Sequence, residues 1–127
     1  MRRILLLMLM LCASYACADW KYLTESIKGD TYSVDLGSVK KFGGNLRAWT
    51  LTSYKTPLVG GGYTVKSVKS LDEFDCKEGK YRVIQESWHS EENGLGSVVY
   101  TTNEISGWRY APPDSTFEVV LKAVCKK

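Results

Sequence analysis

The chain is poor in the residues that carry metal and acid–base chemistry. It has one histidine among 127 residues, His89, so only one imidazole is available as base or ligand. One histidine would suffice for a Ser-His-Asp triad, but no G-x-S-x-G nucleophile elbow is present. His89 follows Trp88 at the end of a strand-like run and reads as an inert surface group beside a turn. No C-x-x-C motif occurs, which argues against a dithiol redox catalyst. Gly60-Gly61-Gly62 lacks the following lysine and helix of a phosphate loop. There are three prolines, no repeat and no low-complexity tract, so no interdomain linker is visible. A large excess of one charge sign is also missing. The formal net charge is +3, from 17 basic and 14 acidic side chains. A near-neutral, mixed surface does not favour nucleic acid or an anionic membrane as partner.

Long apolar runs are missing with one exception. Met1-Arg2-Arg3 precedes an apolar stretch from Ile4 to Ala13, and Ala16-Cys17-Ala18 forms a small-residue exit. This pattern predicts a secretory signal peptide over residues 1–18, cleaved between Ala18 and Asp19. The apolar part is too short for a membrane-spanning helix, which needs about 20 residues. Cys17 is an alternative lipidation site, because small Ala16 precedes it. Ser14, three positions before Cys17, departs from the leucine-like residue of a lipoprotein signal. Cleavage leaves one domain, residues 19–127, with 15 basic and 14 acidic side chains and a modest core.

Four cysteines become two on export, because Cys12 and Cys17 leave with the leader. Cys76 and Cys125 remain, an even number in an oxidising compartment. They are too few and too far apart for a zinc site. A structural disulfide closing about 50 residues stabilises a fold by about 4 kcal/mol in the chain-entropy account.

Most segments read as strands. Trp20 to Glu25, Thr31 to Val34, Leu46 to Tyr54, Tyr63 to Asp75, Tyr81 to Trp88 and Gly96 to Thr102 are β-prone. Lys28-Gly29-Asp30, Lys40 to Asn45 and Glu78-Gly79 read as turns, and Pro57 to Gly62 as a flexible loop. Alternation places Arg47, Trp49, Leu51 and Ser53 on one face. The run Tyr63 to Asp75 does not keep strict period two, which predicts a bend or bulge within it. Glu91 to Gly96 reads as a polar loop.

The C-terminus changes character. Pro112-Pro113-Asp114 stops the extended chain, and Ser115 stands three residues before Glu118 as a capping box. Phe117, Val120, Leu121 and Val124 share one helical stripe, and Cys125 lies beside it. The expected architecture is α+β: a meandering antiparallel sheet of about six strands, with a C-terminal helix packed on it and pinned by Cys76–Cys125.

Asp72, Glu73 and Asp75 cluster before Cys76, as paired carboxylates or a cation site would, but the alternation of a strand sends Asp72 and Glu73 to opposite faces. They read as a solvated strand end. No metal, cofactor or catalytic residue is expected. The aromatic residues carry more information. Core packing accounts for most of Trp49 and Trp108, while others on the uncovered sheet face suit partner binding. Lys66, Lys69, Lys77, Lys80 and Arg82 are offset by Asp72, Glu73, Asp75 and Glu78, which reads as a mixed patch.

An ordered set of short motifs resembles the surface-adhesin protein E family of Gram-negative bacteria. It runs Ala18-Asp19-Trp20, Tyr32 to Asp35 with Ser38-Val39-Lys40, then Arg47-Ala48-Trp49-Thr50-Leu51. Ser67-Val68-Lys69-Ser70, Glu73-Phe74-Asp75-Cys76 and Tyr81-Arg82 follow. Gly96-Ser97-Val98-Val99, Trp108-Arg109-Tyr110-Ala111-Pro112-Pro113 and Val124-Cys125 complete it. The resemblance implies a twisted antiparallel sheet with a disulfide-tied C-terminal helix. It also implies an exported protein of the periplasm or outer-membrane surface. Its implied partners are extracellular-matrix or other envelope proteins, and no ligand-contacting residue carries over. A soluble periplasmic protein with a structural or small-ligand role is the alternative. An exposed edge strand leaves dimerisation open.

Overall fold

The computed structural model describes residues 18–126. The leader expected over residues 1–18, with Cys12 and Cys17, therefore lies outside the described residues, apart from Ala18.

The described chain forms eight strands, two single 3-10 turns and one helix. The strands are β1 (Lys21–Glu25), β2 (Thr31–Val34), β3 (Lys40–Phe42), β4 (Asn45–Gly60), β5 (Tyr63–Asp75), β6 (Lys80–His89), β7 (Val98–Thr102) and β8 (Arg109–Tyr110). The helix α1 spans Thr116–Cys125. One antiparallel sheet runs in the order β1-β2-β4-β5-β6-β7. The two remaining strands extend its flanks: β3 pairs the start of β4, and β8 pairs the start of β6.

The six expected strands form the path of this sheet; of the two short ones, β3 falls in a segment that reads as a turn, and β8 precedes Pro112-Pro113 in a stretch with no assigned element. Lys40 to Asn45 is not all turn, since β3 and β4 pair up to Phe42 and Asn45, leaving only Gly43 and Gly44 between them. Nor is Pro57 to Gly62 a flexible loop. β4 continues to Gly60, which pairs Tyr63 across a two-residue turn. Gly61 and Gly62 both have positive φ, 58° and 81°. A type I′ hairpin requires that of its two central residues. The glycines thus build a specific turn.

The expected bulge exists, but in the neighbours of β5. Tyr54, Lys55, Thr56 and Pro57 of β4 stand opposite Lys66 alone. Pro57 has no N–H to offer a ladder, so a bulge accommodates it. On the other side, Ile84 is the extra residue of β6, because Leu71 pairs Gln85 while Asp72 pairs Val83.

The core lies between one face of the sheet and α1. Val34, Ala48 and Phe74 from the sheet are fully buried against Val120, Leu121 and Val124 of the helix. Phe117 stacks on Tyr81 with ring centroids 3.8 Å apart. Each large apolar side chain fully buried here contributes about 1.5–3 kcal/mol. The Ser115 hydroxyl accepts a hydrogen bond from the Glu118 N–H at 3.1 Å, as the capping box predicts. The Glu118 carboxylate takes Lys122 at 2.8 Å instead of closing the box. Cys76, just past β5, and Cys125, at the helix end, are joined by a disulfide with Cα atoms 5.7 Å apart.

Candidate functional site

Pairing register determines what the opposite face of the sheet displays. Residues directly opposite on neighbouring strands point the same way. Lys40 pairs Arg47, Arg47 pairs Glu73, and Glu73 pairs Arg82. These four side chains form one row across β3, β4, β5 and β6, on the face away from α1. Arg47, Trp49, Leu51 and Ser53 share this face, as their alternation predicts.

Glu73 is the centre of the row and is 1% exposed. Arg47 Nε donates to its Oε1 at 2.8 Å, and Arg82 Nη2 donates to its Oε2 at 2.9 Å. Asn45 Nδ2 also donates to Oε2, at 3.2 Å. Burial by itself would raise the carboxyl pKa. The Arg47 and Asn45 hydrogen bonds and the nearby Arg82 charge more than offset it and hold the pKa below 4.5.

Aromatic rings close both ends of the row. The Arg47 guanidinium carbon lies 3.4 Å from the Phe42 ring centroid. The Arg82 carbon lies 4.5 Å from the Trp108 ring, with Lys80 Nζ at 5.2 Å from the same ring. Planar guanidinium groups stack on such rings while donating in their own plane. The arrangement therefore reads Phe42–Arg47–Glu73–Arg82–Trp108 across the sheet. Trp49 and Trp108, read as mostly core, are only half-buried. The reason is that no second layer covers this part of the sheet among the described residues.

Two clefts flank Trp49. One, of about 430 Å³, is lined by Asp35, Lys40, Lys41, Phe42, Arg47 and Leu71, among others. The second, of about 250 Å³, lies between Trp20, Trp49, Lys69 and Ser87. The backbone beneath is held firmly, since Ser38 Oγ donates to Asp35 O at 2.6 Å and accepts from Trp49 N at 2.9 Å.

The acidic cluster is not a solvated strand end. Asp72 and Glu73 are each 1% exposed, on opposite faces. Asp72 Oδ2 accepts from Thr50 Oγ1 at 2.8 Å, and Oδ1 accepts from Ser70 Oγ at 2.5 Å. Burial dominates here. The hydroxyl hydrogen bonds only partly offset it, Glu86 adds to it, and the pKa rises from 3.8 to about 6. Asp75 serves its turn by accepting from Glu78 N at 3.0 Å. Among the described residues no group of three or more His, Cys, Asp or Glu could hold a metal ion.

His89 is not on the surface either, at 5% exposure. The loop after β6 folds back over it. Ser67 Oγ donates to Glu91 O at 2.6 Å and accepts from Gly94 N at 2.8 Å, which pins that loop. Burial first, then the Lys69 charge, lower the imidazole pKa below 6.5. Ser87 Oγ lies 2.9 Å from His89 Nε2, while Nδ1 has no partner among the described residues. A serine and a histidine thus touch, without the carboxylate that would orient the ring.

A third, more apolar cleft of about 350 Å³ lies at the far end of the sheet. It is lined by Leu58, Val59, Tyr63, Val65, Trp88 and Tyr100, among others. Trp88 and Tyr100 are 4.8 Å apart and tilted by 57°. Sequence reading missed Phe42, Asn45 and the Arg47–Glu73–Arg82 row. The available signal was an arginine near the start of a strand, between Leu46 and Ala48 and two positions before Trp49.

The comparisons with known proteins agree with one another. The family model described as surface-adhesin protein E matches residues 20–126. Crystal form II of Haemophilus influenzae protein E matches with a TM-score of 0.65 at 13% identity, over 87% of this chain and 92% of that one. Protein E from non-typeable Haemophilus influenzae matches with a TM-score of 0.56 at 12% identity, over 89% of this chain and 76% of that one. At such identities the likeness is one of fold. No curated protein matches this sequence.

Proposed function

The chain belongs to the surface-adhesin protein E family, and from that premise we propose that it is an exported envelope protein that binds other proteins. Family membership supports a surface adhesin role. The binding surface in this reading is the sheet face opposite α1, and host extracellular-matrix proteins are among its ligands. The observation that supports it is the row Phe42–Arg47–Glu73–Arg82–Trp108. A domain that needed this face only for stability would cover it. Here aromatic and guanidinium groups, the types enriched at binding hot spots, stand preorganised and partly exposed.

Residues 1–18 act in this reading as a cleaved leader, and residues 19–127 as the mature domain. The protein works by binding and not by catalysis. Membership of an adhesin family supports this.

Saturable binding of the purified mature protein to immobilised matrix proteins, weakened by Phe42→Ala, is the expected result. Absence of binding to every such protein would sink the adhesion reading. Labelling of intact cells with an impermeant reagent separates surface display from a periplasmic location. Mass spectrometry of the mature N-terminus separates a free Asp19 from a lipidated Cys17. A small-ligand role has one observation in its favour, the apolar cleft at Trp88. Its volume is in the range of small-molecule sites.

A further inference from the structure

The charges on the open face do not balance. The row Lys40–Arg47–Glu73–Arg82 has three cations and one acid. That acid is unavailable to a ligand, because it is buried and both its oxygens already accept hydrogen bonds. The arginines are in the opposite condition. Arg47 uses only Nε on Glu73, which leaves its two terminal nitrogens, and Arg82 uses Nη2 while its Nε is buried without a partner, which leaves N–H groups on its terminal nitrogens. On this face Lys40, Lys69 and Lys80 have no carboxylate partner among the described residues. Asp35 and Asp75 also lie here, and each has an oxygen occupied by a nearby backbone N–H. The domain as a whole is close to neutral, so its positive excess is concentrated on this face.

We infer that this face binds an acidic segment of a partner protein, with carboxylates meeting the Lys40–Arg47 and Lys80–Arg82 ends and an apolar side chain seated on Trp49 or Phe42. The inference rests on the proposed binding role of this face and adds the chemistry of the partner. The dimensions set a spacing. Four strands about 4.8 Å apart place the ends of the row roughly 14 Å from one another. An extended peptide advances about 3.3 Å per residue, so acidic residues about four positions apart reach both ends. Nothing is gained from an acid between them, since Glu73 lies beneath the middle. Aromatic rings alternate with the cations, and this favours a peptide over a uniformly charged polyanion, which has no apolar group to cover them.

The test uses the full exported, oxidised protein and a fluorescein-labelled peptide with an Asp-Ala-Phe-Ala-Asp core. Controls are the Asn-for-Asp and Lys-for-Asp peptides and a heparin oligosaccharide. Saturable binding of the acidic peptide is expected. It should weaken about fivefold or more in Lys40→Glu, and further in the double variant with Lys80→Glu, at unchanged thermal midpoint. Raising salt from about 0.05 to 0.5 M should weaken it as well. Equal binding of the three peptides, insensitivity to the lysine reversals, or displacement by heparin at lower concentration would overturn the inference. If the acidic peptide fails while matrix proteins still bind in a Phe42-dependent way, only the charge inference falls. If neither binds, the reading of the face as a binding surface falls too.

Discussion

Arg47 Nε and Glu73 Oε1 meet at 2.8 Å on the sheet face opposite α1. The two residues are 26 positions apart and become neighbours only because β4 and β5 pair in one register. An ion pair in the open is worth little, because water competes with it and the side chains lose freedom. This one differs in that the carboxylate is buried and shared by two guanidinium groups. Each guanidinium is in turn braced by a ring.

Glu73→Gln should therefore be costly. It leaves Arg47 and Arg82 facing each other without their counter-charge. A loss of about 2–3 kcal/mol is expected, less than for a fully buried pair because the arginines remain partly hydrated. The midpoint of urea unfolding at pH 7 measures it. Because the folded pKa of Glu73 is held below 4.5, its contribution is present above that pH. It is lost as pH falls through the lowered folded value. The variant should show no such acid-dependent loss.

Asp72 has the opposite sign and a different window. Its folded pKa, about 6, lies above its ordinary 3.8 because the carboxyl is buried. The contribution of this group to stability is complete below about 3.8 and falls as pH rises through 6. Asp72→Asn, which keeps the shape and removes the charge, should be relatively more favourable at pH 7.5 than at pH 4.5. Urea unfolding across pH 4.5–8 checks this. Wild type should lose stability as pH rises from 4.5 through 6 and then level off, and the variant should respond less.

The disulfide holds the end of α1 against the end of β5. Its cysteines are 49 residues apart. Replacing both by serine should cost about 4 kcal/mol in the loop-entropy account. A 10-residue helix is marginal without tertiary support. Amide exchange at Val120 and Val124 should therefore accelerate more than exchange at Ala48 and Thr50 in the central strand.

The β4–β5 hairpin turn is a further point of sensitivity. Gly61→Ala and Gly62→Ala each place a side chain at positive φ, where L residues are strained. A loss of about 1 kcal/mol per substitution is expected. Gly61→Asn should be milder, since asparagine tolerates that conformation. Thermal unfolding of the three variants ranks them.

Much of the fold was legible locally. The stripe Phe117, Val120, Leu121 and Val124 announces a one-sided helix, and Ser115 announces its start. The alternation in Leu46 to Tyr54 separates the two faces correctly. The glycine triplet at 60–62 was misread because flexible loops and I′ turns use the same residue. Only the pairing of Gly60 with Tyr63 distinguishes them. The candidate site was far less legible. Asp72 and Glu73 look alike in sequence, as adjacent acids near a strand end. One receives two hydroxyl donors under the helix side, and the other receives two guanidinium groups on the open side.

The sequence by itself determined the elements: strand periodicity, a capped amphipathic helix and the two cysteines, Cys76 and Cys125, of residues 19–127. These are properties of neighbours in the chain, governed by backbone sterics and side-chain period. Tertiary structure decided which charges are buried and which cations meet which rings. Those depend on register across four strands and on what covers each face. Arg47, Glu73 and Arg82 become one group only when three strands align, so no local pattern announces them.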